Sequence, residues 1–205
     1  MRVYVATKNE GKLRELRAIF AGSGWDLMQH DGYREVLEDG ATYAANAALK
    51  ARALHAQLAA QEITEAVIGD DSGLEVAALD GRPGVLSARY FGPNASWPER
   101  RKGILAELRD AGASDRRACF VCALHFIDGS GREVAVERDV QGRISEGERG
   151  SAGFSYDPIF EYPPAGRTFG ELTEAEKNAV SHRARAARAL LDTVDETPFP
   201  SNGGP

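Results

Sequence analysis

An α/β fold, built on a mixed twisted sheet with flanking helices, is predicted by three features of this 205-residue chain. Arg2 to Ala6 reads as a strand, and Leu13, Leu16, Ile19 and Phe20 follow it at helical spacing after Gly11. Thr42 to Ala60 is an Ala-rich segment with few breakers, the composition of a helix. Two β-rich runs, 117–127 and 132–140, flank Asp128-Gly129-Ser130-Gly131 and predict a hairpin. Alternating strands and helices with an antiparallel hairpin in the second half give a mixed sheet.

The other elements fall between these. Ala66 to Ile68 reads as a short buried strand whose carboxyl end opens into a polar turn at Gly69-Asp70-Asp71-Ser72-Gly73. Trp97 to Ala111 is helical, with Pro98 in its first turn. A Gly-rich loop spans Gly147 to Gly153. Thr173 and Glu176 form a capping-box pattern ahead of a helical segment that ends near Leu191 and is broken and recapped at Ser181. At 42% hydrophobic, the chain can bury one sizeable core, so residues 1–194 are expected to form one domain with room for two lobes. The Pro- and Gly-rich stretch 195–205 is expected to be a disordered tail.

Composition excludes several classes. With 31 acidic against 25 basic residues and a formal charge of −6, no broad electrostatic footprint for nucleic acid is expected. Arg2, Lys8 and Glu10 interrupt the first ten residues, so no signal peptide or membrane span is expected there, and a cytoplasmic location is. A polyanionic ligand would need a local basic pocket, and Lys8, Lys12, Lys50 and Lys177 all fall in the segments that carry chemistry. Cys119 and Cys122 stand at CxxC spacing, but ACFVCAL reads as a buried strand and no second ligand pair follows. They are expected to be reduced core residues.

Thr7-Lys8-Asn9-Glu10-Gly11-Lys12 joins the first strand to the first helix, where free N–H groups and a lysine suit phosphate. It is no Walker loop, since Leu13 follows Lys12 and Ala6 stands at the first glycine position. Taken alone, a strand-to-helix turn carrying Asn and Gly is more often only a turn. Asp70 and Asp71, at the end of a buried strand, suit Mg²⁺, which takes carboxylates, waters and phosphate oxygens; a self-capping turn is an equal reading of an isolated DDSG. Asp71-Ser72-Gly73 also matches the aspartic-protease triplet, but the helices here oppose the all-β barrel that it needs. Glu38 could complete a metal site with Asp70 and Asp71, although an exposed loop glutamate is commoner. Asn46 and Lys50, four apart, share a helix face. Gly153-Phe154-Ser155-Tyr156-Asp157-Pro158, with Lys177, His182 and Arg183, supplies aromatic and charged groups able to stack a purine and meet its polar edge.

In this order, these segments resemble the inosine/xanthosine triphosphate pyrophosphatases, the Ham1-like family that removes non-canonical purine nucleotides. The matches are Thr7-x-Asn9-x-x-Lys12, Glu38 with the helix run 46–51, Gly69 to Leu74, Pro83-Gly84 with Ser87-Ala88-Arg89-Tyr90, Gly153 to Pro158, and Glu171-Leu172-Thr173 through Lys177 to Ser181-His182-Arg183. The resemblance implies two lobes around a deep substrate cleft, a homodimer and Mg²⁺. It makes Asp71 the proton acceptor and, with Glu38 and Asp70, a metal ligand. Thr7, Lys8, Asn9, Glu10, Gly11 and Lys12 then hold the triphosphate. Lys50, Ser72, Phe154, Ser155, Tyr156, Asp157, Lys177, His182 and Arg183 contact the substrate. Ala45 stands where the family commonly has glutamate, which removes that group's contribution. Two rivals are a Maf-like pyrophosphatase of other base preference, related to septum formation, and a non-catalytic nucleotide-binding regulator. The purine-edge set from Phe154 to Arg183 favours the first reading over the former, and a metal-bound base separates it from the latter.

Overall fold

The computed structural model describes residues 1–196. Seven strands form one sheet in the order β2-β1-β3-β4-β5-β6-β7. Strands β1 (Arg2–Ala6), β2 (Asp26–Met28) and the first part of β3 (Ala66–Val76) are parallel. From β3 onward the ladder is antiparallel through β4 (Arg117–Ile127), β5 (Glu133–Ile144), β6 (Phe160–Tyr162) and β7 (Arg167–Thr168). The parallel β1–β3 pair needs a crossover, and helices α1 (Glu10–Phe20) and α2 (Tyr43–Ala59) occupy it. Helix α3 (Trp97–Asp110) starts with a complete Ser96/Glu99 capping box, and α4 (Glu174–Val180) with Thr173/Glu176. A break at Ser181 separates α4 from α5 (His182–Glu196), as the capping pattern predicts.

Two principal cores lie at opposite ends of the long strands. In one, Val3, Val5, Ile68, Leu124 and Phe126 pack against Leu16 and Phe20 of α1 and Leu190 of α5. In the other, Leu74, Val76, Phe120, Ile144, Phe160 and Phe169 pack with Ile104 and Leu108 of α3. Strands β3 and β4 run through both, so the cleft between the lobes has a continuous sheet as its floor.

Two expectations are corrected. The Gly69–Gly73 segment is strand, not turn: Asp70, Asp71 and Ser72 pair with Leu124, Ala123 and Cys122 of β4. Asp and Gly disfavour strands locally, but a ladder of ten residue pairs to β4 overrides that weak preference. Strand β1 pairs only as far as Ala6–Gly69, and beyond it the Ser87 hydroxyl receives the Leu74 N–H at 2.9 Å while Pro83 bridges to Glu75. Between those two attachments the edge of β3 opens into the cleft. The second correction is at the carboxyl end, where Asp195 and Glu196 still belong to α5. The rest of the expected tail, 197–205, lies outside the described residues. Among the described residues no helix is long and apolar enough to cross a membrane.

Candidate active site

The Thr7–Lys12 turn is locked by its own side chains. Asn9 caps α1, its Oδ1 accepting the Lys12 N–H at 3.1 Å, and Thr7 Oγ1 accepts the Asn9 N–H at 3.0 Å. Thr7, Asn9 and Lys12 line the cleft, whereas Lys8 and Glu10 are exposed outside it. Gly11 serves packing: a Cβ there would sit 3.1 Å from the Phe154 ring.

Along β3, side chains alternate between faces. Asp71 points to α2, and Asp70 and Ser72 point to α5. On the α2 side, Asn46 Nδ2 donates to Asp71 Oδ2 at 3.2 Å, and Lys50 Nζ reaches Asp71 Oδ1 at 3.0 Å and Glu38 Oε1 at 3.1 Å. The shared helix face read from the four-residue spacing is therefore aimed at Asp71. Gly69 permits this, because a Cβ there would collide with the carbonyl of Ala47 and hold α2 off the sheet. Burial pushes the Asp71 carboxyl above the usual aspartate range, against the pull of Lys50 and Lys12.

On the other side, Asp70 is buried and ion-paired with Lys12 and with Arg183, whose Nε lies 3.1 Å away. Burial opposes its charge, but Lys12 and Arg183 outweigh burial and hold it below the usual range. Asp70 thus does not join Asp71 and Glu38 on one wall, and among the described residues no three His, Cys, Asp or Glu side chains converge as a metal cage. Strand alternation is the physical reason.

A buried charge network ties several of these motif residues to Glu15, which the motifs do not include. Glu15 of α1 accepts from Lys177 Nζ at 2.5 Å and from Arg183 Nη1. Lys177 also reaches Asp157 Oδ2 at 2.6 Å, and that same oxygen accepts the Phe154 N–H at 2.7 Å. Arg183 Nη2 completes the set on Ser72 Oγ at 2.9 Å. The only sequence signal for Glu15 is a carboxylate lodged between Leu13 and Leu16 on the apolar face of α1.

The aromatic end is equally constrained. Lys177 Nζ sits 4.9 Å from the centroid of the Phe154 ring. Ser155 adopts φ 60°, and Arg101 of α3 holds its carbonyl at 2.8 Å. Tyr156 is fully buried, its hydroxyl donating to the Ser87 carbonyl at 2.9 Å and its ring edge-on to Trp97. His182 stacks on Phe120 with centroids 4.7 Å apart. Burial, aided by Arg183 and Lys177, pushes its imidazole well below the usual histidine range, so it stays neutral; its Nδ1 is buried without a partner. Phe154 to Asp157, Lys177, His182 and Arg183 all line the cleft, as do Ser87, Arg89 and Trp97, to which the motifs assign no role.

Cys122 is buried with its thiol on Asp70, and burial holds that thiol protonated; Cys119, three residues earlier, is half-buried toward Asp139. The two do not form a pair.

Residues 3–193 match the model of the Ham1 family. The chain belongs to the Ham1 family. Within it, the chain is 42% identical over 193 residues to a dITP/XTP pyrophosphatase of Exiguobacterium sibiricum, covering 93% of this chain and 95% of the relative. A dITP/XTP pyrophosphatase of Gloeobacter violaceus is 46% identical over 195 residues, covering 95% of each. A solved Ham1 protein from Coxiella burnetii superposes with a TM-score of 0.83 at 34% identity, over 96% of this chain and 99% of that one. The Ham1 pattern thus runs through both lobes and the whole cleft between them.

Proposed function

We propose that this chain hydrolyses non-canonical purine nucleoside triphosphates, those of inosine, deoxyinosine and xanthosine, to the monophosphate and pyrophosphate. The observation that carries the reading is the position of Asp71. It lies on the cleft floor beside Glu38 and Lys50, in the same cavity as the Thr7–Lys12 turn and the Phe154, His182 and Arg183 group. Relatives that align over nearly the whole chain carry the name dITP/XTP pyrophosphatase.

Asp71 would take the proton of a water attacking the α-phosphorus, and burial brings its basicity closer to that task than an exposed aspartate's. Lys50 and Asn46 hold its two oxygens in place. Lys12 and Lys177 are the cations for the departing pyrophosphate. Glu38 and Asp71, drawn together by the Lys50 ammonium, suit Mg²⁺, which takes one or two carboxylates plus water and phosphate oxygens. Bound there, Mg²⁺ would neutralise phosphate charge.

The base is read by donors. Arg183 has no acceptor, and neutral His182 adds a second donor in the tautomer that carries its proton on the unpartnered Nδ1, so a 6-oxo purine finds matching groups. A 6-amino group would set donor against donor, a mismatch that can cost roughly 10⁴-fold. A panel of inosine, xanthosine and adenosine triphosphates with pyrophosphate readout tests this. Expected is a much higher kcat/KM for the first two; equal values, or orthophosphate as sole product, would overturn it. The proposal includes a cytoplasmic homodimer, and sedimentation of the purified chain checks the dimer.

A further inference from the structure

Arg89 is set apart by its charge balance. Among the described residues, five cationic side chains line the cleft: Lys12, Lys50, Arg89, Lys177 and Arg183. Four are held by carboxylates, Lys12 by Asp70, Lys50 by Glu38 and Asp71, Lys177 by Glu15 and Asp157, and Arg183 by Glu15 and Asp70. Arg89, among the described residues, is paired with no carboxylate. Its side chain gives one hydrogen bond, from Nη2 to the backbone carbonyl of Glu38 at 2.9 Å. Its side chain therefore brings an unneutralised charge and several free N–H groups to the cleft. That hydrogen bond also sets it at the acidic end, beside Glu38, rather than at the buried His182 end.

We propose that Arg89 is a catalytic residue that binds the leaving pyrophosphate portion of the triphosphate, while its bond to Glu38 keeps that residue's loop against the cleft. A guanidinium matches phosphate oxygens as a two-pronged donor. The four paired cations must share their protons with carboxylates, so Arg89 is the group that a polyanion engages without displacing a partner. Charge gathering on the departing pyrophosphate would fall within its field, so the contact gains strength in the transition state. The proposal rests on the pyrophosphatase reading of the cleft.

Arg89→Gln and Arg89→Ala separate the two roles. Glutamine can still donate to the Glu38 carbonyl but carries no charge. Binding is measured by calorimetry with inorganic pyrophosphate and, separately, inosine monophosphate, at one fixed magnesium concentration. Expected for both variants is about a tenfold to hundredfold weaker pyrophosphate affinity, the range for losing a charged hydrogen bond, with monophosphate affinity unchanged. The kcat/KM for inosine triphosphate falls alongside. Unchanged pyrophosphate affinity would overturn the proposal, as would equal losses for both ligands or rescue of pyrophosphate affinity by glutamine. A wild-type chain that binds neither ligand and cleaves no nucleotide would instead defeat the pyrophosphatase reading itself.

Discussion

Glu15 and Lys177, 162 positions apart in the chain, form a buried ion pair with Oε1 and Nζ at 2.5 Å. The same carboxylate holds Arg183, so one residue of α1 fixes two cleft cations that come from α4 and α5. Helix α1, which follows the Thr7–Lys12 turn, is thereby registered to the Lys177 and Arg183 end of the cleft.

Removing that carboxylate leaves two buried cations short of a partner. Glu15→Gln should lose about 3–5 kcal/mol of stability, the range for breaking a buried pair by deleting one member. Burial alone would raise the Glu15 carboxyl, but Arg183 and Lys177 outweigh it and hold it below its ordinary range; Asp70 is likewise held down by Lys12 and Arg183. Such groups contribute stability that is complete above the unfolded-state values, about pH 4, and lost as pH falls through the lower folded-state values. Thermal melts from neutral pH to about pH 3 should show wild-type Tm dropping at the acid end, and a shallower drop in Glu15→Gln. Parallel curves would contradict this.

Asp71→Asn keeps the shape and removes the proposed base. Turnover should fall at least about a hundredfold, with much smaller loss of substrate affinity. In the metal-free chain burial raises the Asp71 carboxyl above the ordinary aspartate range and Lys50 opposes that rise, so Lys50→Gln should raise it further. NMR titration of the Asp71 carboxyl in both chains without magnesium checks the direction.

Gly69→Ala puts a methyl group against the Ala47 carbonyl and the Ala51 backbone. Overpacking of this kind costs about 1–3 kcal/mol. Because Asn46 and Lys50 ride on the same helix, the variant should also lose kcat out of proportion to substrate affinity. Denaturant titration alongside steady-state kinetics measures both; a stable, fully active Gly69→Ala would show that α2 does not depend on this close approach.

Local patterns determined a good deal of this protein. Helical spacing after Gly11, the Ala-rich run at 42–60, the Asp128–Gly131 hairpin and the capping boxes each rest on neighbours within a few residues, and each appears where local preference puts it. The short strands β2, β6 and β7 were not legible, since three or two residues carry no period and exist only because longer strands offer them an edge. Motif residues were legible as a set, but their orientation was not. Asp70 and Asp71 are adjacent letters of one motif, yet β3 turns them to opposite faces, one into a buried charge network and the other onto the cleft floor. Glu15 and Arg89 gain their parts only from partners far away in the chain, Lys177 and Arg183 for the one and the Glu38 carbonyl for the other. Residue chemistry and local periodicity are properties of the sequence alone; which face a strand residue presents, and which charge is left without a partner, depend on contacts that form only when the whole sheet is assembled.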